Sequence, residues 1–449
     1  MPVAPLPSHA DRQQRGKAAR TRVPVRLLGH WRADRDARAV LLAQNRMRLP
    51  DLVPLRHGRM AASPWNFYRG AAAVLATDLA TSPNSGLQVQ LCGDAHVLNF
   101  GLWATPERNL SFDLRDFDET LPGPFEWDVM RLTASLVVVA REDGLPPGEA
   151  DDAVASALRA YRSKMRHYAS ASQMEIWYDS IYVEQLLGYF GEDRRGRVSK
   201  HIEKKRKRRT SAGAFEKLTE MVDGRRRIIE EPPRLTHFDD PRRLEIVREV
   251  YERYAETLQD DRRHLLENFT FVDTARQVVG VGSVGMRVHL LLLDGPGGED
   301  PLFLQVKQAG PSVYEAHLGP SRYDNHGARV VNGKRLIQSA TDILVGWTSF
   351  DDMDFYVRQF RDMKVIPDAE RIAPVLKEFA TACGEVLARA HARTGDPVAI
   401  ASYIGKGRRF DEAIGGFARA YADQTEHDHA QLVAAIADGS VPGEHVAPR

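Results

Sequence analysis

Between Phe125 and Arg141 the apolar positions Val129, Leu132, Leu136 and Val139 recur at the spacing of one buried helix face. The same spacing predicts helices over Ala150–Ser170, Met174–Phe190, Arg242–Asn268 and Asp411–Ala437. Pro374–Arg393 adds another, with Val375, Phe379, Ala382, Val386, Leu387 and Ala390 on its apolar side and Gly395 to close it. Ser63–Ala80 starts as helices do, with Ser63 as N-cap and Pro64 in the first turn. From Phe271 the pattern turns to strands: "TARQVVGVGS", "GMRVHLLLLD", "LFLQVKQA", "DILVGWTSF" and "DFYVRQF", interrupted by a helix over Ala328–Ala340. The first 60 or so residues read as a loose arm with one helical stretch, Arg35–Arg48.

Composition narrows the class. With 449 residues, 43% hydrophobic and 27% charged, the chain has the balance of an ordinary globular protein. Its 62 basic and 61 acidic residues cancel to +1, so no whole-chain electrostatic footprint for nucleic acid exists. No apolar run reaches bilayer length, and the basic, Pro-rich start lacks the apolar core of a signal peptide. Two cysteines, Cys92 and Cys383, are too few for a disulfide framework or a cysteine-built zinc site. A cytoplasmic protein is expected, with no membrane and no nucleic-acid partner. The basic run Lys204–Arg209 reads as a solvated helix face or loop, with docking of an acidic substrate as the alternative.

Candidate chemistry sits in two places far apart in the chain. "CGDAHVLNFG" and "FDLRDFDET" crowd Asp94, His96, Asn99, Asp116 and Asp118 around short apolar segments. Nearly two hundred residues later, "VVGVGSVGMRV" sets Gly280, Gly282 and Gly285 in a G-x-G-x-x-G pattern followed by a strand. A dinucleotide fingerprint would open a helix there, so a strand–glycine–strand hairpin is the better reading. The next strand carries Lys307 in "FLQVKQA".

Together these residues resemble the protein-kinase-like phosphotransferases, and most closely the aminoglycoside- and choline-kinase type with its H-G-D-x-H-x-x-N loop. The hairpin resembles the glycine loop that covers nucleotide phosphates, and "FLQVK" the V-A-I-K strand. Asp94 and Asn99 have the spacing of the kinase catalytic Asp and Asn, and Asp116 falls where the D-F-G Asp would fall. Two departures stand out. Cys92 replaces the usual His, and the motif order is inverted, the catalytic loop preceding the glycine loop. A circular permutation reconciles the order. The chain also resembles an uncharacterised bacterial family, domain of unknown function 2252, through "NFYRGAAA", "LCGDAHVLNFG", "FDLRDFDETLPGPFEWD", "VGVGSVGMR", "ILVGWTSF" and "ARAHARTGD".

The kinase-like resemblance implies an α+β, two-lobed, circularly permuted fold with a five-stranded antiparallel small lobe and a large helical lobe. Its expected parts are an N-terminal arm (1–60), a catalytic-loop, metal-loop and helical segment (61–265), a strand-rich nucleotide-binding lobe (266–365) and C-terminal helices completing the helical lobe (366–449). The implied activity is ATP- and Mg2+-dependent phosphoryl transfer to a hydroxyl of a small molecule. Asp94 would orient the hydroxyl and take its proton, Asn99 and Asp116 would hold Mg2+, and Asp118 would contact a second metal or cap its loop. Lys307 would draw charge from phosphates covered by Gly280, Gly282, Ser283 and Gly285. Glu315 is the expected acidic partner of Lys307, since Ala328–Ala340 contains no Glu. His96 braces the loop, with a metal ligand as the alternative; Asp128 braces the catalytic loop; Arg69 would either reach a phosphate or be an ordinary helix-surface arginine; and Glu119 is solvated. His391 is assigned to packing, and "ADQTEHDH" (Ala422–His429) to a solvated helix face. The alternatives are a non-catalytic nucleotide-binding pseudokinase, a protein kinase or nucleotidyltransferase, and a two-metal phosphoesterase. The last needs further His ligands and leaves the glycine hairpin unexplained.

Overall fold

The computed structural model describes residues 6–208, 210–238, 241–298, 300–360, 363–365 and 372–444. It is α+β, with all strand pairs antiparallel. The main sheet has six strands in the order Gly346–Phe350, Met353–Gln359, Pro301–Ala309, Val288–Asp294, Thr270–Gln277, Leu235–Thr236. The five predicted strands are there. The sixth, Leu235–Thr236, is a two-residue edge too short to leave an alternating pattern, and it corrects the expected count.

Boundaries moved where backbone geometry overrides apolar spacing. The strand Thr270–Gln277 stops before the glycines, so residues 278–287 form a ten-residue connection, longer than a tight hairpin. Ser63–Ala80 is two helices, Pro64–Gly70 and Ala72–Ala80, with the Ser63 hydroxyl accepting from the Asn66 N–H at 3.2 Å. Met174–Phe190 likewise divides into Gln173–Tyr178 and Val183–Gly188, and Arg242–Asn268 into Pro241–Ala255 and Asp260–Leu266. The basic run lies on the helix Glu192–Arg208, with Lys204 and Lys207 exposed; Arg209 is outside the described residues.

The largest correction is at the start. The loose arm is instead anchored by the helix His9–Arg22, which packs on Pro397–Ile404. A Cβ on Gly16 would lie 2.2 Å from the Ala399 carbonyl oxygen, so the two backbones touch through a residue without a side chain.

The helix Phe125–Glu142 is the hub of the helical region. Its residues from Phe125 to Ala140 are all buried, against Arg409–Ala437, Pro147–Tyr168 and the short strand Gln88–Leu91. That strand leads straight into Cys92–Asn99. It is also met by the end of the helix Leu376–Thr394: Gln90 N–H donates to Thr394 Oγ1 at 3.1 Å, and Gly395 abuts Gln88 and Val89. Among the described residues, no helix is long and apolar enough to cross a membrane.

Candidate functional site

Two buried carboxylates in the first turn of Phe125–Glu142 position the first loop. Asp128 accepts the backbone N–H groups of Cys92 at 2.7 Å and Gly93 at 3.0 Å. Glu126 accepts from the backbone N–H and, at 3.0 Å, the hydroxyl of Ser85. The segment from Ser85 to Gly93 is thus tied to one helix at both ends. His391 joins this network from below, 3.4 Å from Asp128 and 2.8 Å from the Tyr161 hydroxyl. Gly93 has φ +88°, and a Cβ there would strike the Glu119 carbonyl at 2.2 Å, so glycine is required.

Asp94 projects from this support into a cleft. Its Oδ1 accepts from Arg131 Nε at 2.7 Å, and the Arg131 guanidinium lies 3.9 Å from the Tyr68 ring centroid. Burial pushes the Asp94 carboxyl up in pKa, and Arg131 opposes that shift. Asn99 Nδ2 donates to the Asp94 carbonyl at 2.5 Å, which sets the loop's turn. His96 is buried edge-on against Trp65, its Nε2 3.9 Å from Asp94 Oδ2. Burial, then Arg131, Arg69 and Arg115, depress its pKa and keep the ring neutral.

Asp116 behaves differently. Burial alone would raise its pKa, yet Lys307, Arg115 and Arg358 together hold it below the usual carboxylate range. An ionised oxygen donor in a cleft that Asn99 also lines suits a hard cation, with Asn99 Oδ1 3.4 Å from Arg115 Nε. Asp118, expected at a second metal or as a loop cap, is engaged by two neighbours. Its Oδ2 forms an ion pair with Lys307, and its Oδ1 accepts from the Tyr356 hydroxyl at 2.8 Å. Asp118 is therefore the partner of Lys307, and Glu315 is not. Glu315 accepts from Ser312 N–H at 2.9 Å and Ser321 N–H at 3.2 Å, 3.6 Å from Arg329 Nε. Among the described residues, no group of three or more His, Cys, Asp or Glu side chains forms a metal-binding cluster. A cation here would rest on Asp116 and Asn99 and take its remaining oxygens from its ligand.

The helix His326–Ile337 carries Arg329 and no Glu. The buried Arg329 guanidinium donates to the carbonyls of Thr120, Asp118 and Gly310 at 2.7, 2.7 and 2.8 Å. Ser312–Tyr314 then clips the two aspartate loops together. Val313 N–H donates to Glu119 Oε2 at 2.7 Å and the Tyr314 hydroxyl to the Gly93 carbonyl at 2.8 Å. Glu119 is thus bound, not solvated as expected, and burial lifts its pKa to about 7.

The glycine loop forms the opposite wall. Gly280 and Gly285 have φ of +64° and +89°, and Gly282 lies against the Arg69 carbonyl. The N-terminal region holds it: Arg59 donates to the Gly280 carbonyl at 2.8 Å, Leu49 N–H to Gly285 at 2.8 Å, and Arg48 to Val284. The resulting cleft, about 490 Å3, is lined by Asp94, His96, Asn99, Asp116 and Asp118 on one side and Gly280, Gly282 and Ser283 on the other. Arg48, Arg69 and Arg115 also face it. The Nε groups of Arg48 and Arg69 are buried without a hydrogen-bond partner. Lys307, 3% exposed, lies behind this lining.

Sequence reasoning missed Arg131, Arg329, Tyr356 and the N-terminal clasp. Arg131 alone carried a signal, since it follows Asp128 by one helical turn on the same face. The string "ADQTEHDH" is also less solvated than expected, because Asp428 pairs with Arg35 at 2.6 Å in a buried group with Asp78.

None of the curated proteins or solved structures compared with the chain matches it significantly. A family model does: that of an uncharacterized protein conserved in bacteria (DUF2252), over residues 48–435. The chain belongs to that family.

Proposed function

We propose that this family member is a kinase-like, ATP- and Mg2+-dependent phosphotransferase acting on a hydroxyl of a small molecule, with a circularly permuted kinase-like arrangement of its parts. The observation that carries the reading is the shared cleft: Asp94, Asn99 and Asp116 face Gly280, Gly282 and Ser283 across one space, although the two sets are far apart in the chain. The meeting of Leu376–Thr394 with the strand before Cys92 supports the permutation, because that helix then leads spatially into the Asp94 loop.

In this reading the acceptor hydroxyl donates to Asp94, whose buried carboxyl has a raised proton affinity. The acceptor oxygen forms a bond to the terminal phosphorus, the bond from that phosphorus to the bridging oxygen breaks, and ADP leaves. Mg2+ would supply charge neutralisation, held by Asp116 and Asn99. Arg69, unpaired at Nε, faces the phosphates beneath the glycine loop.

One observation favours a second reading, a nucleotide-binding module without turnover. Lys307 is engaged by Asp118 and set back from the cleft, so it contacts phosphate only if that pair opens. Calorimetry with Mg·ATP, followed by turnover with a panel of hydroxyl compounds, separates the two. The enzyme reading expects Asp116→Ala to abolish Mg2+-dependent binding, and Asp94→Ala to keep binding and lose turnover. Binding with no turnover in any panel selects the second reading; no Mg2+-dependent nucleotide binding overturns both.

A further inference from the structure

A second, smaller cavity of about 50 Å3 lies where the tip of the hairpin Phe100–Ala104/Leu110–Leu114 meets the end of His326–Ile337 and the end of Met353–Gln359. Among the described residues, the basic side chains Arg115, Lys334, Arg358 and Lys364 line it with one carboxylate, Asp342, while Asp116 faces Arg115 and Arg358 from the cleft side. That carboxylate is committed elsewhere: its Oδ1 accepts from Leu344 N–H at 2.8 Å and its Oδ2 from Gln359 N–H at 2.5 Å. Arg358 donates through Nε and a terminal nitrogen to the neutral Gln305 Oε1, at 3.0 and 2.8 Å. The Lys334 ammonium has no hydrogen-bond or ion-pair partner among the described residues, its carbonyl accepting from Gln338 N–H at 2.9 Å. Among the described residues, the Lys364 ammonium has the Trp103 ring, 5.7 Å from its Nζ.

Like charges gathered in a half-buried recess repel one another and lose hydration, a cost that an anion offsets. The strain shows in Lys334, which burial pushes down to about 8, with Arg358 and Arg335 adding to the shift against Asp342 and Asp116. A space of this size admits one tetrahedral group and excludes a nucleoside. Arg115 lines both this cavity and the large cleft, so the two sites adjoin.

We propose that this cavity is an oxyanion site that binds one phosphate or sulfate group, free or as the terminal group of a small molecule. The site does not depend on whether the neighbouring cleft transfers phosphate.

The test uses the full chain in a buffer free of phosphate and sulfate, without nucleotide or Mg2+, and calorimetric titration with inorganic phosphate. Lys334→Met and Lys364→Met should each weaken binding about tenfold or more, the worth of one charged hydrogen bond. Lys17→Met, on the exposed face of His9–Arg22, should leave it unchanged. If either methionine variant fails to fold, Lys334→Gln and Lys364→Gln carry the same comparison. Glycerol phosphate as second titrant separates the sources: tighter binding than phosphate assigns a terminal group, equal or weaker binding the free ion. Absence of phosphate binding at millimolar concentration overturns the proposal. So does binding unchanged in both lysine variants, or lost in Lys17→Met.

Discussion

The two loops that face each other across the cleft are held in opposite ways. Cys92–Asn99 is fastened from inside its own region, by buried carboxylates of one helix accepting backbone N–H groups. The glycine loop is fastened from outside, through its carbonyls, by arginines and a backbone N–H of a segment more than two hundred residues earlier. Buried charge-assisted bonds to backbone are strong and leave no alternative partner when broken, whereas water readily replaces the exposed Arg59 on the Gly280 carbonyl, although Val284 at the other end packs with Leu52 and Leu55. The first loop is therefore built as a fixed platform and the second as a cover that can open. Under the proposed function, the proton acceptor and metal ligand would be held and the nucleotide admitted, a division this arrangement would serve.

The sharpest way to break the comparison is Asp128→Ala. It strands the Cys92 and Gly93 N–H groups in a buried site, and two unsatisfied groups cost about 3–5 kcal/mol together. A shift of that size in the denaturation midpoint, with new hydrogen exchange confined to the Cys92–Asn99 region, is the expected result. A midpoint within error of the wild type would mean the platform is fixed by something else.

The companion carboxylate gives a pH signature. Burial raises Glu126 from 4.5 to about 7, although Ser85 opposes the shift. Between those values the folded state holds a proton that the unfolded state has released. Stability therefore falls as pH rises through the window, by up to about 1.4 kcal/mol per unit, and levels off above it. Glu126→Gln keeps an acceptor for Ser85 and should flatten this slope, as read from urea midpoints at a series of pH values. An unchanged slope would remove Glu126 from the account.

How much of this could be read beforehand follows from the same contrast. The helix Phe125–Glu142 announced itself because its core contacts repeat at helical spacing, and Asp128 and Arg131 stand on it one turn apart. The helix His9–Arg22 left no such mark, since its buried residues are Gly16 and Ala19 and its packing works by the absence of side chains. Asp94, Asn99, Asp116 and the glycines were legible as residue types at fixed local spacing. The pairing of Lys307 with Asp118 spans 189 positions, so local spacing pointed to the wrong carboxylate, Glu315. The clasp on the glycine loop was invisible for a further reason: backbone carbonyls accept from any arginine, and no pattern marks which.

On the cover itself, Gly285→Ala tests whether the loop's shape is required. The φ of +89° strains any L side chain, and the new Cβ would approach Arg48 Cβ to 2.9 Å. A loss of about 1–2 kcal/mol is expected from the backbone alone. Melting in the absence of ligand checks it. Because the strain is local, the Asp128-held loop should keep its exchange protection, which Asp128→Ala should not.

The smallest effect belongs to Arg59→Ala. Arg59 holds the Gly280 carbonyl from a position where water can take its place. Global stability should change by less than about 0.5 kcal/mol, in line with surface substitutions. The consequence should appear instead in local motion: faster amide exchange across residues 280–285, with no change around Asp94. If the loop is a cover whose opening admits the ligand, loosening its outer fastening raises the rate of ligand entry and exit more than it changes equilibrium affinity, and stopped-flow binding of a fluorescent nucleotide reads the two separately. Exchange that rises equally on both sides of the cleft would mean the two loops open as one body, and the distinction between platform and cover would fall.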